Sequence, residues 1–198
     1  MIIQIALVIL GYLCGSVASA IIVCKIMHLS DPRTQGSGNP GATNVLRLHG
    51  KKAAVLTLAG DVAKGAIPVL IAQGIHAPDP VIALTGIAVF TGHLFPVFFN
   101  FHGGKGVATY IGILSATCWL LGLSYIGTWL LMVALTRYSS LSALIAAVLT
   151  PVYTALLLPV PAYIAANSIM TIALIWRHRA NIRKLMDGTE TRIRINRL

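Results

Sequence analysis

Charge is what this sequence has least of. Only 10% of its 198 residues are charged, and acid is scarcest: 5 Asp and Glu stand against 15 Lys and Arg. A soluble domain carries roughly 25% charged residues. The deficit lies in long stretches: residues 2–24, 81–101, 107–136 and 139–176 hold no Asp, Glu, Lys or Arg. Each reaches or exceeds the ~20 apolar residues that cross a bilayer core. With a mean hydropathy of +0.82, this pattern excludes an ordinary soluble domain.

Cysteine is equally sparse. Cys14, Cys24 and Cys118 all fall in apolar spans, and an odd number there argues for packing residues over a disulfide framework. No Lys or Arg precedes the first apolar run, whereas basic residues follow it, the reverse of a secretory signal. Although Ala18-Ser19-Ala20 resembles a cleavage site, the run reads as an uncleaved first helix. No internal repeat is evident, which weakens an inverted-repeat transporter reading.

The net charge of +10 would suit a nucleic-acid partner, but its placement points elsewhere. Lys25, Arg33, Arg47, Lys51 and Lys52 follow the first apolar run. Lys105 and Arg137 mark two later gaps, and Arg177, Arg179, Arg183, Lys184, Arg192, Arg194 and Arg197 fill the tail. Residues 74–80 and 159–161 hold none. This is the positive-inside pattern, and it excludes nucleic acid as the partner.

Parity then predicts an all-α, polytopic membrane protein of seven transmembrane helices, forming one membrane-embedded domain with the N-terminus outside and the C-terminus cytoplasmic. The helices are expected near residues 2–24, 53–73, 80–100, 107–121, 124–136, 141–158 and 161–176. Residues 25–52, 101–106 and 137–140 form cytoplasmic loops, and 177–198 the tail. Thirty residues from 107 to 136 make ~45 Å of helix, enough for two short crossings broken near Gly122 to Ser124; one long tilted helix is the alternative.

Polar chemistry concentrates in the cytoplasmic segments. Residues 36–47 read GSGNPGATNVLR. Ser37, Gly38, Asn39, Gly41, Thr43 and Asn44 bring small and hydrogen-bonding groups together before Arg47, a composition that lets backbone N–H groups converge on an anion. A tight turn capping a helix uses the same residues. Residues 102–106, HGGKG, run straight into the helix starting at Val107. Gly103, Gly104 and Gly106 offer free N–H groups at a helix N-terminus and Lys105 adds a full charge; a flexible turn with a topology-setting lysine is the plainer reading. It is not a Walker A loop, because Phe99 stands where the first glycine belongs and no strand precedes it. Asp61 and Lys64, three apart in one helix, form either a structural ion pair or a substrate contact. His93 reads more readily as a packed histidine than as a catalyst. A helical tail would put Arg177, Asn181 and Lys184 on one face; its later arginines suit anionic lipid, whereas His178 and Asn181 are not needed for charge.

No histidine has an aspartate five residues on, so the His-x4-Asp signature of the common glycerolipid acyltransferases is missing. No Ser-His-Asp set, metal-ligand cluster or dinucleotide fingerprint is evident. Two phosphate-type cradles beside lipid suggest phosphorylated reactants meeting something hydrophobic.

At these residues the chain resembles the bacterial acyl-phosphate:glycerol-3-phosphate acyltransferase family. The similarity runs in order through residues 36–47, 61–65 (DVAKG), 92–99 (GHLFPVFF), 103–109 (GGKGVAT) and 138–141 (YSSL). It continues through Arg177-His178 with Asn181-Ile182, and Gly188 with Glu190. Some family members carry an acid where this chain has Ala180, so no acid/base role is assigned there. The resemblance implies transfer of a fatty acyl group from acyl phosphate to glycerol 3-phosphate. The products would be 1-acyl-glycerol 3-phosphate and phosphate, the first acylation of phospholipid synthesis, made without cofactor or metal. It implies a catalytic set of Ser37, Asn39, Thr43, Arg47, Lys105 and Asn181. Gly38, Gly41, Asn44, Lys64, Gly103, Gly104, Gly106, Ser140, Arg177 and His178 would bind substrate. A bacterial cell-membrane location with a cytoplasmic active site follows, as does a link to a soluble enzyme that makes acyl phosphate. A transporter or channel for a phosphorylated solute is the alternative.

Overall fold

The computed structural model describes residues 1–193; Arg194 and Arg197 of the basic tail lie outside them. Among the described residues there are ten α-helices and no strand. In order they are α1 (Ile2–Gly15), α2 (Ser19–Ile26), α3 (Ala42–His49), α4 (Lys51–Gly74) and α5 (Asp79–Leu94). Then follow a 3₁₀ turn (Val97–Phe99), α6 (Val107–Thr117), α7 (Trp119–Thr136), α8 (Ser139–Leu157), α9 (Pro161–Arg177) and α10 (Arg179–Met186).

Four helices are long and apolar enough to cross a membrane, or five when α1 and α2, bent by 47°, count as one span. Their outer faces carry exposed leucines, among them Leu130, Leu131, Leu135 and Leu156. A soluble protein would not leave so much apolar surface in water, and the chain is a multi-pass membrane protein.

The first apolar run is not one helix. It breaks between Gly15 and Ser19, freeing carbonyls that lipid cannot satisfy. Lys64 Nζ satisfies one of them, donating to Val17 O at 2.7 Å. Gly15 allows the approach of α5: a Cβ there would overlap the Val89 backbone. The α4–α6 crossing is as close, because Gly65 meets the Thr109 backbone and Gly112 the Val62 backbone. Small residues at such crossings let helices pack in a membrane without a hydrophobic drive.

Residues 107–136 fold back on themselves. The turn is at Cys118, in extended conformation (φ −156°, ψ 119°), and not near Gly122 to Ser124 as expected. Gly122 instead lies where α7 closes on Ser115 of α6; its small size serves packing rather than a break. The rings of Tyr110 and Tyr125 stand 5.6 Å apart, where one continuous helix would separate them by ~22 Å. With Phe90, Leu94, Leu114 and Leu121 these tyrosines form the buried centre.

Contacts sort the helix ends into two groups. Gln73 bonds Thr117 O, and Tyr163 bonds Asp79, at one end. At the other, Lys105 bonds Asn181, Arg177 bonds the 103–104 carbonyls, and Ser140 bonds Glu190. Helices α4 to α9 therefore run alternately between the ends, and the polar loops and most of the basic residues share one end.

Candidate functional site

Two loops and the α9–α10 junction enclose the site. The first loop precedes α3 and is folded from within by Asn44. Its Oδ1 accepts the Ser37 N–H at 3.0 Å, while its Nδ2 donates to Pro32 O at 2.8 Å and Gln35 O at 3.2 Å. Gly36 and Gly38 take left-handed conformations (φ 63° and 67°), which side chains resist, so this turn presents Ser37 to Asn39 at the surface.

The second loop descends from the 3₁₀ turn through Asn100 and Phe101, both left-handed, into the Gly103–Gly106 turn. Gly104 N–H donates to His93 O at 3.1 Å. Arg177 takes both outward carbonyls, Nε to Gly104 O at 3.0 Å and Nη2 to Gly103 O at 2.7 Å. With the carbonyls so turned, the N–H groups of Gly103, Lys105 and Gly106 find no acceptor among the described residues. Buried N–H groups are rarely left so, and free donors opening a helix form an anion site.

Lys105 is held from α10. Its Nζ donates to Asn181 Oδ1; Asn181 Nδ2 donates to Glu190 Oε1 at 2.9 Å, and Ser140 Oγ donates to the same oxygen at 2.7 Å. Burial pushes the Lys105 ammonium down to about 8; Glu190 opposes this, whereas Arg47, Lys184 and Arg177 add to it. The His178 imidazole, buried and bonded through Nδ1 to Leu174 O at 2.9 Å, is pushed down to about 4 by that burial and is neutral.

These groups line an open cleft of about 640 Å³ whose wall includes Arg33, Ser37, Lys105, Arg177, Asn181 and Lys184. Of the expected site residues, Gly38, Asn39 and Gly103 line it too. Gly41 sits against the Asn39 amide. Thr43 and Arg47 are exposed on α3 and do not line the cleft, although Arg47 is near enough to act on Lys105. Asn44 is the scaffold of its loop. Ser140 supports Glu190, and His178 lies inside the α9–α10 junction. Gly106 caps α6 at φ 91° with the Phe90 ring where a Cβ would stand, and Gly104 faces His93. Lys64 lies beneath the turn, 2.8 Å from Asp61.

Sequence reasoning left Glu190 out of the site, although it is the chain's single glutamate and stands in a basic tail. That isolation was the available signal. Arg33, Thr34, His102 and Arg179 also line the cleft and carried no signal beyond charge or polarity. A concave surface lined by Arg33, Lys105, Arg177, Arg179 and Lys184 suits a phosphate or two.

Known proteins are similar to this chain in sequence and in fold. The sequence profile of the family described as glycerol-3-phosphate acyltransferase matches residues 5–188. A glycerol-3-phosphate acyltransferase of Methylococcus capsulatus is 53% identical over 188 residues, covering 95% of each chain. One of Methylobacillus flagellatus is 54% identical over 183 residues, 92% of this chain and 93% of the relative. Among solved structures, the crystal structure of PlsY (YgiH), an integral membrane glycerol 3-phosphate acyltransferase, in its glycerol 3-phosphate form superposes with a TM-score of 0.92. It is 38% identical over 96% of both chains. Its lysophosphatidic acid form gives 0.90 at 36% identity, covering 96% of this chain and 95% of that one.

Proposed function

The chain belongs to the glycerol-3-phosphate acyltransferase family, and on that premise we propose that it acylates glycerol 3-phosphate with acyl phosphate as donor. The observation that carries this reading is Lys105, fixed by Asn181 in the wall of a cationic cleft at the end of the helical bundle where the polar loops gather. A phosphorylated alcohol arrives from water and an acyl chain from the bilayer, and only a site at that boundary meets both.

An acyl phosphate is a mixed anhydride with a good leaving group. The glycerol hydroxyl oxygen attacks the carbonyl carbon, the bond from that carbon to the phosphate oxygen breaks, and an ester bond forms. The hydroxyl proton leaves on the departing phosphate, which is its base. The chain's task is therefore to bind, orient and stabilise charge. Lys105 and the free N–H groups of the 103–106 turn face the phosphate whose charge grows. Ser37, Asn39 and Asn181 supply hydrogen bonds, and Arg33 and Lys184 add cationic charge to the cleft wall. Positioning of this kind removes several kcal/mol, on the order of 7–11 at best, from a bimolecular barrier. Thr43 and Arg47 stand outside the cleft wall, and Arg177 acts through the loop it clamps.

The same reading sets the chain in a bacterial inner membrane with seven crossings, the N-terminus outside and the cleft cytoplasmic. The basic residues at the cleft end support that orientation. A soluble enzyme that phosphorylates or phosphorolyses acyl groups then supplies the donor.

Reconstitution into sealed vesicles tests the reading. Glycerol 3-phosphate and acyl phosphate added outside should yield 1-acyl-glycerol 3-phosphate without solute accumulating in the lumen. Uptake of glycerol 3-phosphate without product would support a transporter and overturn the enzyme.

A further inference from the structure

Directly beneath the 103–104 turn lies a buried polar cluster that the reaction does not use. Asp61 and Lys64 of α4, His93 of α5 and Thr109 of α6 are all buried. Lys64 Nζ is 2.8 Å from Asp61 Oδ1 and is committed on its other side to Val17 O. His93 Nδ1 lies 3.1 Å from Thr109 Oγ1 and 3.7 Å from Asp61 Oδ1. Thr109 belongs to the first turn of the helix that the glycine turn opens.

The imidazole is thus gripped by two helices, and its far edge meets Gly104. A Cβ built on Gly104 would collide with the ring, and the three heavy atoms nearest to it all belong to that ring. Gly104 does not have a left-handed φ. The structure gives it one reason to be glycine, the His93 ring. The backbone repeats the contact, since Gly104 N–H donates to His93 O. The cavity bordered by Asp61, Lys64, His93, Gly103 and Gly104 is about 10 Å³, room for no more than about one water.

We propose that His93 is a positioning residue, whose ring, clamped between Thr109 and Asp61, is the floor that fixes the height of the Gly103–Gly104 turn and so the phosphate affinity of the cleft. Arg177 holds the turn from above through its carbonyls, and His93 holds it from below. The inference rests on the acyltransferase reading, because phosphate affinity is its readout.

The test is a double-mutant cycle in purified, detergent-solubilised protein. Steady-state kinetics with glycerol 3-phosphate and acyl phosphate are measured for wild type, His93→Ala, Gly104→Ala and the pair. Both single variants should raise KM far more than they lower kcat. Because the added methyl occupies space the ring vacates, the pair should recover by on the order of 10-fold relative to Gly104→Ala, the coupling expected of residues in contact. Independent losses that multiply in the pair would overturn the proposal, as would a folded His93→Ala protein with wild-type KM. Size-exclusion profiles and melting temperatures establish folding. If His93→Ala does not fold, His93→Asn, which keeps a partner for Thr109 but lacks the ring edge, replaces it in the same cycle with the same two outcomes. Wild-type protein that yields no acylated product would sink the acyltransferase reading, whereas active wild type with multiplicative losses sinks only the role of His93.

Discussion

Lys105 Nζ donates its hydrogen bond to Asn181 Oδ1, joining residues 76 positions apart. Through Asn181 the contact continues to Glu190 and Ser140, so the glycine turn, the tail helix and the start of α8 share one line of hydrogen bonds. The lysine stands at the end of that line facing the cleft.

Replacing Lys105 therefore separates binding from topology. Lys105→Ala should cut kcat/KM by roughly 10- to 150-fold, the loss of a charge-assisted hydrogen bond of about 1.5–3 kcal/mol. Lys105→Arg keeps the charge and the topological signal, but its planar fork does not replace a compact ammonium, and activity should stay impaired. Kinetics and orientation measured on both variants decide this. A correctly oriented Lys105→Ala protein with normal kinetics would remove Lys105 from the site.

Activity should fall in alkali before ordinary lysines titrate. Burial holds Lys105 at about 8, so kcat/KM should decline as pH rises through 8 and the ammonium is lost. Bound anion favours the charged form, and the limb in kcat at saturation should lie higher, since kcat/KM reports the free enzyme and kcat the complex. Glu190 raises the Lys105 value; Glu190→Gln keeps an acceptor for Ser140 and Asn181 and should move the kcat/KM limb to lower pH. A flat profile to pH 9.5 would exclude the charge of Lys105 from binding.

Asp61 and Lys64 form a pair with side chains only 3% and 6% exposed. Asp61→Asn leaves a buried ammonium uncompensated, a change that costs roughly 3–5 kcal/mol. The melting temperature in detergent should fall markedly, and Asp61→Asn combined with Lys64→Met should restore only part of it, because the Val17 carbonyl then lacks its donor. Equal melting temperatures for wild type and Asp61→Asn would show that the pair does not hold the fold.

The crossing pattern is open to labelling. In a background lacking Cys14, Cys24 and Cys118, single cysteines replacing exposed His76 and Thr189 should react from opposite sides of intact cells or vesicles, Thr189→Cys only from the cytoplasm. Labelling of both from one side would contradict the alternation of α4 to α9.

Much of this architecture was readable as sequence because lipid enforces it locally. Charge-free runs and basic gaps placed the helices, and Pro159 with Pro161 marked the α8–α9 turn. The reversal at Cys118 was not readable: glycine marks both breaks and close crossings, and only the packing of Gly122 on Ser115 tells which. At the site, Ser37, Lys105 and Asn181 declared themselves as polar groups in a polar-poor chain. Asn44 looked the same, yet it folds its own loop, because the partners that occupy its amide lie 7 to 12 residues earlier. The bond of Lys64 to Val17 was hidden for a similar reason, since it exists only once the first apolar run breaks.

The most direct test of the account is donor stoichiometry with purified protein. Glycerol 3-phosphate and acyl phosphate, with no coenzyme A and a chelator present, should give 1-acyl-glycerol 3-phosphate and inorganic phosphate in equal amounts, with phosphate release dependent on glycerol 3-phosphate. Full turnover with acyl-CoA and none with acyl phosphate would contradict the account.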